Sequence, residues 1–376
     1  MPHSVNPALQ PNTLKIAILG AAGGIGQSLS LLLKTQLHFP LKTNSTQRDK
    51  NHIHLALFDV NEDAINGVVA DLSHIDTPVS ISNHSPKTGI EDCLKNCSLV
   101  VIPAGMPRKP GMTREDLFTI NAKIMSSLTD SIAQNCDLSK VFVLIISNPV
   151  NSLVPVMVNR LWSKYPQLSK GTNIEKRIMG VTKLDIVRAS TFLHEVNIDA
   201  DITPRTNDMP DVPVIGGHSG ETIMPLFSQS RSYKSLDRDQ INYLVHRVQY
   251  GGDEVVKAKN GLGSATLSMA HAAFKVVNKF VSLLLGNVDQ IHGICYVSLK
   301  DADGSPIAPG AEQLLKSIDD CSFFSIPMSI SKKGVTAIDF DIIDRMDNYE
   351  RNEMLPLCLP KLKNSIATGS KFGSQD

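Results

Sequence analysis

The amino-acid sequence predicts an α/β protein, in which a doubly wound parallel sheet is followed by an α+β domain. Three observations predict this fold class. Apolar segments alternate with helical segments in the first half, a glycine-rich turn follows the first apolar segment, and the alternation stops near residue 175. The chain has 376 residues, which is more than one hydrophobic core usually holds, so two domains are expected.

Four apolar segments of the first half are predicted strands, because a strand that helices cover on both faces is apolar along its whole length. They are LKIAILG (14–20), IHLALFDV (53–60), LVVIPAG (99–105) and VFVLIISNP (141–149). Helices are predicted after the first three, at GIGQSLSLLLKTQL, at NEDAINGVVADLSHI and beyond Arg114. The polar segment 39–52 has no periodicity and is predicted to be a surface insertion. These elements predict a Rossmann-type domain over 14–174, preceded by an N-terminal extension, 1–13.

The second half predicts an α+β domain over 175–368. Its elements are a helix at TKLDIVRASTFLHEV, two short strands around a turn in VPVIGGHSGETIMPLFS, helical sequence from Asp237 to Leu285 broken at Asn260–Gly263, strands around ICYVSL and FSIPMSI, and a final helix after Asp339. The last residues, 369–376, read GSKFGSQD and are predicted to form a flexible tail.

Charge and composition argue against several classes of partner. Basic and acidic residues balance at 37 each, so no global field attracts nucleic acid or an anionic membrane, and no apolar segment approaches the ~20 residues of a membrane helix. The six cysteines form no C-x-x-C pair and the histidines no metal-binding pattern, so we expect free thiols in a reducing compartment and no metal. The termini carry no secretory signal, no Arg-rich transit peptide and no S-K-L ending, so a cytoplasmic location is expected.

The segment GAAGGIG, Gly20–Gly26, follows the first predicted strand and opens the first helix. Its glycines permit a tight turn and a close approach of the backbone to a pyrophosphate, and the helix N-terminus offers free N–H groups. A plain tight turn is the alternative, because the spacing is G-x-x-G-x-x-G and not the commoner G-x-G-x-x-G. The position between a strand and a helix favours a dinucleotide site.

Asp59 ends the second predicted strand. A carboxylate there can accept hydrogen bonds from both ribose hydroxyls and would repel a 2′-phosphate, which favours NAD over NADP. Its distance from the glycine turn exceeds the ~20 residues of the usual fingerprint, and the insertion at 39–52 accounts for the excess. The alternative is an acidic turn residue at a strand end.

Side chains that suit a substrate site lie farther along the chain. Asp185 and Arg188 share a helix face, and their apolar neighbours favour a site over a surface ion pair. His218 stands between glycines in VIGGHSG, where an imidazole suits proton transfer near neutral pH, although a lone histidine is more often structural. Asn148 follows the fourth strand, either as an amide that faces a ligand or as a turn residue before proline.

The loop AGMPRKPGMTR, residues 104–114, carries the cations Arg108, Lys109 and Arg114 directly after the third strand. Alone, such a loop could bind any phosphate or acidic partner. Its position between a nucleotide-binding half and a His–Asp–Arg set favours recognition of an anionic substrate.

Eight segments resemble malate dehydrogenases of the branch shared by mitochondria, enteric bacteria and the cytosolic and peroxisomal enzymes of yeast. They are GAAGGIGQ, LFDV, DLSHIDT, PAGMPRKPGMTR, IISNPVNS, GVTKLDIVRAS, PVIGGHSGET and GSATLSMAHA. Because they run in order from residue 20 to beyond 270, the resemblance spans nearly the whole chain. It implies the lactate/malate dehydrogenase fold, and the lack of a transit peptide and of an S-K-L ending points to the cytosolic form among those of yeast.

The resemblance also implies a role for each matching residue. NAD would be bound by Gly20, Ala21, Ala22, Gly23, Gly24, Ile25, Gly26, Asp59, Asn121, Ile146, Ser147, Asn148 and Met269. His218 would accept the proton, with Asp185 orienting its ring. Substrate would be bound by Arg188 at the C1 carboxylate, Arg114 at the C2 carbonyl, Arg108 at the C4 carboxylate, and Asn148.

The activity implied is the reversible oxidation of (S)-malate to oxaloacetate by hydride transfer to NAD, in a homodimer whose substrate is a small dicarboxylate. One alternative is an L-lactate dehydrogenase-like 2-hydroxy acid oxidoreductase, which shares the fold and the His–Asp–Arg set but typically carries an uncharged residue at the position of Arg108. The other is a non-catalytic NAD-binding protein, which would have no physical reason to keep buried charges around an empty site.

Overall fold

The structure, a computed structural model, describes residues 13–37, 52–106, 114–199, 209–231 and 236–375. Hydrogen bonds join eleven strands of this part of the chain into one sheet. In chain order they are β1 (Thr13–Leu19), β2 (His52–Phe58), β3 (Ser80–His84), β4 (Leu99–Ile102), β5 (Phe142–Ile145), β6 (Ile178–Gly180), β7 (Val214–Gly216), β8 (Ile223–Pro225), β9 (Gln290–Ser298), β10 (Phe323–Ser331) and β11 (Gly334–Ile338). The predicted insertion at 39–52 lies outside the described residues, apart from its last residue.

Twelve α-helices lie in the same described ranges. They are α1 (Gly24–Gln36), α2 (Glu62–Ser73), α3 (Ile90–Leu94), α4 (Arg114–Asn135), α5 (Val150–Lys164), α6 (Pro166–Ser169), α7 (Lys183–Asp199), α8 (Arg238–Ala258), α9 (Leu267–Leu284), α10 (Ala311–Ser317), α11 (Asp341–Asp344) and α12 (Leu355–Gly373). Helix α8 begins where it does because Asp237 and Gln240 form a capping box, each side chain accepting the other's backbone N–H.

The first six strands are parallel and lie in the order β3-β2-β1-β4-β5-β6 of dinucleotide-binding sheets, which confirms the predicted doubly wound sheet. Strands β4 and β5 are wholly buried, which explains their continuous apolar sequence. Two of these six strands were not predicted from the sequence patterns, and in the second half β11 was not predicted either. The edge strand β3 has the polar sequence SISNH, and β6 has three residues, too few to show a period. Strand β6 lies beyond the predicted domain boundary at residue 174.

Antiparallel strands continue the sheet in the second half. Strand β6 pairs with β9 through Gly180 and Tyr296, and β10, β7 and β8 follow in order. The two strands predicted in VPVIGGHSGETIMPLFS are β7 and β8, and the turn between them contains His218. The predicted break at Asn260–Gly263 separates α8 from α9.

The predicted flexible tail is wrong for residues 369–373, which form the last turns of α12. Gly369 and Gly373 are buried against α5. A Cβ at Gly369 would lie 2.1 Å from the carbonyl oxygen of Ser152, and one at Gly373 would lie 2.4 Å from that of Val156. This contact could not be recognised in the sequence, because glycine lets two helix backbones touch without an apolar side chain that would mark the buried face.

A chain of histidine and serine side chains joins β2 to β3. The imidazole of His54 lies 2.7 Å from Oγ of Ser80 and 2.8 Å from Oγ of Ser82, which in turn lies 2.7 Å from Nε2 of His84. Both rings are buried. Burial, together with the Lys15 ammonium group, lowers the pKa of His54 and that of His84 to about 4.

Acidification should therefore destabilise the fold between about pH 6.5 and pH 4. Between these two pH values the histidines are protonated in the unfolded state and neutral in the folded state. The free energy of unfolding therefore decreases as the pH is lowered, by a few kcal/mol in total. Urea unfolding at pH 7.5 and at pH 5 measures the change. His54→Gln removes one of the two titrating groups, so its pH dependence should be clearly shallower; an unchanged pH dependence would contradict the assignment.

Candidate active site

The glycine turn lies at the carboxyl end of β1 and packs against the carboxyl end of β4. Gly20 has a φ of +97°, and a Cβ there would lie 2.6 Å from Cα of Ala104. A Cβ at Gly26 would lie 2.2 Å from the carbonyl oxygen of Gly20. Glycine is therefore required at both positions for the turn to close onto the sheet and onto the start of α1.

The N-terminus of α1 is open to an anion. Gly23 provides no side-chain cap, and the first turn of this helix carries no acidic residue. The free N–H groups and the positive end of the helix dipole thus suit a diphosphate, so the turn fits a dinucleotide. A Cβ at Gly24 would lie 2.9 Å from Cγ2 of Thr266, which brings the start of α9, with the buried Met269, to the turn.

Asp59 lies beside the same turn. One oxygen of its carboxylate accepts the N–H of Ala22 at 2.9 Å, and the other accepts the N–H of Asn61 at 3.0 Å. The side chain is half-buried, and each oxygen has a further lone pair. The sequence analysis left two roles open for Asp59, an acidic turn residue and a ribose-binding carboxylate. Its carboxylate stabilises a turn and also has hydrogen-bond acceptor capacity left beside the glycine turn.

Asn121 joins the ends of two strand-following segments. Its Oδ1 accepts the N–H of Met106 at 2.7 Å, and its Nδ2 donates to the carbonyl oxygens of Met106 at 3.2 Å and Asn148 at 2.8 Å. Ser147 donates from Oγ to the carbonyl oxygen of Ile102 at 2.9 Å. These contacts hold the segment after β5 against the base of the cationic loop.

Burial divides the predicted cofactor residues into two groups. Gly23, Gly24 and Asn148 are exposed, and Gly20, Ala22, Ile25 and Asp59 are half-buried. Ala21, Gly26, Asn121, Ile146, Ser147 and Met269 are buried. Members of the first group can contact a ligand directly as they stand, whereas the buried side chains of Asn121 and Ser147 support the backbone that surrounds the site.

The structure brings His218, Asp185 and Arg188 together. Nδ1 of His218 lies 2.5 Å from Oδ2 of Asp185, and Nη1 of Arg188 lies 3.7 Å from Oδ1 of the same carboxylate. Asp185 has no exposed surface, and its Oδ1 has no hydrogen-bond partner among the described residues. Asp185 thus stands between an imidazole and a guanidinium group, both about one-tenth exposed.

The electrostatics of this cluster follow from its burial. Burial lowers the pKa of the Arg188 guanidinium, and the carboxylates of Asp185 and Glu254 oppose that change. Because a carboxylate only accepts hydrogen bonds, Nδ1 of His218 must carry the hydrogen, which leaves a lone pair on Nε2. The imidazole is therefore held in the tautomer of a proton acceptor.

Two of the predicted substrate arginines cannot be placed. Arg108 lies outside the described residues, and of Arg114 only the backbone, the first residue of α4, is described. Among the described residues no group of three or more His, Cys, Asp and Glu side chains could hold a metal ion. No helix of the described ranges is long and apolar enough to cross a bilayer.

One residue that contacts this cluster was missed by the sequence analysis. Oδ1 of Asn151 accepts the backbone N–H of His218 at 2.7 Å. In the segment SNPVNS the sequence analysis singled out only Asn148. Nothing in the neighbouring sequence indicates that Asn151, three residues later, is buried or contacts a distant turn. Only the tertiary contact between α5 and the β7–β8 turn reveals it.

The sheet order and the glycine turn define a class of proteins, the dinucleotide-binding α/β enzymes. The buried His–Asp pair offers an imidazole, which is a side chain suited to proton transfer near neutral pH. Two family models match, the lactate/malate dehydrogenase NAD-binding domain over residues 14–180 and the lactate/malate dehydrogenase alpha/beta C-terminal domain over residues 182–373. The chain belongs to the lactate/malate dehydrogenase family, which confirms the predicted fold class, the NAD cofactor and the dehydrogenase class.

Similar proteins point to one branch of this family. The cytoplasmic malate dehydrogenase of Saccharomyces cerevisiae is 67% identical over 372 residues, which are 99% of this chain and 98% of that protein. The mitochondrial malate dehydrogenase of Felis catus is 41% identical over 96% of this chain and 92% of its own length. The crystal structure of Cryptosporidium parvum malate dehydrogenase, 24% identical, matches with a TM-score of 0.68 over 96% of this chain and 99% of that chain, and supports the fold.

Proposed function

We propose that this chain is an NAD-dependent malate dehydrogenase, which interconverts (S)-malate and oxaloacetate. The observation that carries the proposal is the contact of 2.5 Å between the His218 imidazole and the buried Asp185 carboxylate, with Arg188 on the other side of that carboxylate. The high identity to the yeast enzyme supports the same reaction for this chain.

His218 accepts the proton of the C2 hydroxyl group. Its Nε2 carries the lone pair, and the Asp185 carboxylate stabilises the positive charge that the ring gains. In the reverse direction the charged ring returns that proton to the carbonyl oxygen of oxaloacetate. NAD, when bound, supplies the hydride acceptor, and the segments around Gly20–Gly26 and Asn148 orient it.

The arginines recognise the two carboxylates and the carbonyl group of the substrate. A guanidinium group fits a carboxylate with two parallel charge-assisted hydrogen bonds, so Arg188, beside the His–Asp pair, suits the C1 carboxylate. From the sequence we assign the C4 carboxylate to Arg108 and the C2 carbonyl to Arg114.

Several properties belong to the same proposal. A homodimer in the cytoplasm is the expected state of the enzyme, and the printed name of the yeast relative states a cytoplasmic location for that protein. The lactate dehydrogenase-like alternative keeps the His–Asp–Arg cluster but has no use for a cation that binds a C4 carboxylate. A non-catalytic protein has no use for a carboxylate buried with no exposed surface.

Purified protein should oxidise NADH rapidly with oxaloacetate and only slowly with pyruvate. Four initial rates measured by absorbance at 340 nm, for each substrate with NADH and with NADPH, test the proposal. NADH should be preferred, because the Asp59 carboxylate at the glycine turn repels a 2′-phosphate. Faster turnover of pyruvate would assign the chain to the lactate-type alternative, and no turnover of either substrate would favour the non-catalytic one.

A further inference from the structure

The Asn151 side chain joins the nucleotide-binding half to the catalytic histidine. Asn151 lies in the first turn of α5, three residues after Asn148, and its own carbonyl oxygen accepts the hydroxyl of Tyr296 at 3.1 Å. Its side-chain Oδ1 accepts the backbone N–H of His218 at 2.7 Å. The residue is 2% exposed, so no water competes for this bond.

A second contact fixes the orientation of the Asn151 amide. The Thr222 hydroxyl donates to the carbonyl oxygen of Ser219 at 2.8 Å and accepts the N–H of Ser219 at 3.0 Å. Its remaining capacity is to accept, and it accepts Nδ2 of Asn151 at 3.1 Å. The amide nitrogen must therefore face Thr222, which turns Oδ1 toward His218.

The residue before the histidine makes room for this arrangement. A Cβ at Gly217 would lie 2.6 Å from Oγ1 of Thr222 and 2.7 Å from Oδ1 of Asn151. Only glycine lets the β7–β8 turn come this close to α5. The β7–β8 turn therefore packs directly against the Asn151 amide, as the glycine turn packs directly against the end of β4.

We propose that Asn151 is a positioning residue for catalysis, which sets the place of the His218 imidazole relative to the segment that holds the cofactor. The inference rests on the proposed function, because it needs His218 to be the proton acceptor. Asp185 fixes the direction of the ring from α7, and Asn151 fixes the backbone of the same residue from α5. Two elements thereby hold one imidazole at two points.

Loss of the amide contact should affect turnover more than binding. Without Oδ1 the His218 N–H is buried and unpaired, and the β7–β8 turn moves to satisfy it. A displacement of about 1 Å in a reacting group costs about 10²-fold in rate. The hydrogen bonds of Asn151 to other described residues reach Thr222, His218 and Tyr296 and not the glycine turn or Asp59, so affinity for NADH should be retained.

Asn151→Leu removes both side-chain hydrogen bonds and keeps the number and branching of the side-chain heavy atoms. It should lower kcat for oxaloacetate reduction by about 10²-fold, with KM and the NADH dissociation constant changed less than about threefold. Thr222→Val removes the hydroxyl that accepts Nδ2 but leaves Oδ1 of Asn151 in place, so the amide is free to turn and kcat should fall by about tenfold. Thr222→Ser keeps the hydroxyl and should lose clearly less than the valine variant.

A matched control lies on the same helix. Asn159 of α5 donates from Nδ2 to the carbonyl oxygen of Pro155 at 2.9 Å and to Oγ of Ser370 at 3.0 Å, and has no contact with His218. Asn159→Leu therefore removes an asparagine side chain of α5 without touching the imidazole. Its kcat should stay within about threefold of the unchanged enzyme.

The outcomes separate this inference from the proposed function. If the unchanged enzyme reduces oxaloacetate and His218→Asn does not, the proposed function stands. A kcat of Asn151→Leu within threefold of the unchanged enzyme then overturns the positioning role alone. Equal losses in kcat, melting temperature and NADH affinity overturn it too, since they indicate general damage. If Asn151→Leu does not fold, Thr222→Val decides: an unchanged kcat overturns the inference, and a tenfold loss that serine reduces supports it.

Discussion

His218→Asn should lower kcat for oxaloacetate reduction by about 10³-fold or more, because it removes the only proton donor and acceptor that the proposed mechanism uses. Asparagine cannot take up or release a proton near neutral pH, although it can still donate a hydrogen bond to Asp185. Initial rates at saturating NADH measure the loss. Titration of NADH fluorescence should show binding close to that of the unchanged enzyme, since the glycine turn is untouched.

A control variant is available for the histidine test. His292 is exposed on β9, where its Nδ1 lies 3.1 Å from Oγ of Ser329. His292→Asn makes the same chemical change on an exposed side chain of β9, which β10 separates from β7, and should leave kcat within about twofold. Retention of full activity by His218→Asn would remove His218 from the mechanism and, with it, the observation on which the proposed function depends.

Arg108→Gln should lower kcat/KM for oxaloacetate by about 10³-fold and raise the ratio of pyruvate to oxaloacetate turnover. The C4 carboxylate loses its counter-charge, whereas the methyl group of pyruvate no longer faces an unpaired cation. Residues 107–113 lie outside the described structure, so this test also examines an assignment made from the sequence alone. Rates for both substrates should be measured on the same preparation.

The neighbouring lysine provides the control for charge. Lys109→Gln removes one positive charge from the same loop, and no role is assigned to it. Its kcat/KM for oxaloacetate should change less than about threefold, as expected for a solvated cation. If the two variants lose activity equally, the loop acts through its total charge and not through a specific contact of Arg108.

The features that could be predicted from the sequence are those that show in the pattern of neighbouring residues. Buried parallel strands show as continuous apolar runs, and the turn at Gly20 requires glycine for its own φ, so both are visible from neighbouring residues alone. Edge strand β3 is half-buried along most of its length and has the polar sequence SISNH, so it shows no continuous apolar run and was not recognised. The pairing of His218 with Asp185 followed from resemblance, because no local pattern relates two residues in separate elements.

Contacts between distant segments escaped prediction for the same reason. Asn151 contacts a turn formed by residues far along the chain, and it contributes through hydrogen bonds that apolar periodicity does not encode. The end of α12 was predicted as a flexible tail because its serines, glycines and lysine resemble a disordered segment. This segment is helical and packed because Gly369 and Gly373 let its backbone lie directly against α5, a contact that the sequence of the segment alone does not reveal.

That helix pairing has a consequence for how the chain is made. Helix α5 is buried along most of its length, and its partner α12 follows every other described helix in the sequence. Until Gly373 has been synthesised, the backbone at Ser152 and Val156 has no glycine surface to close against. The packing of α5 in the nucleotide-binding half is therefore completed only after the chain has been synthesised through Gly373.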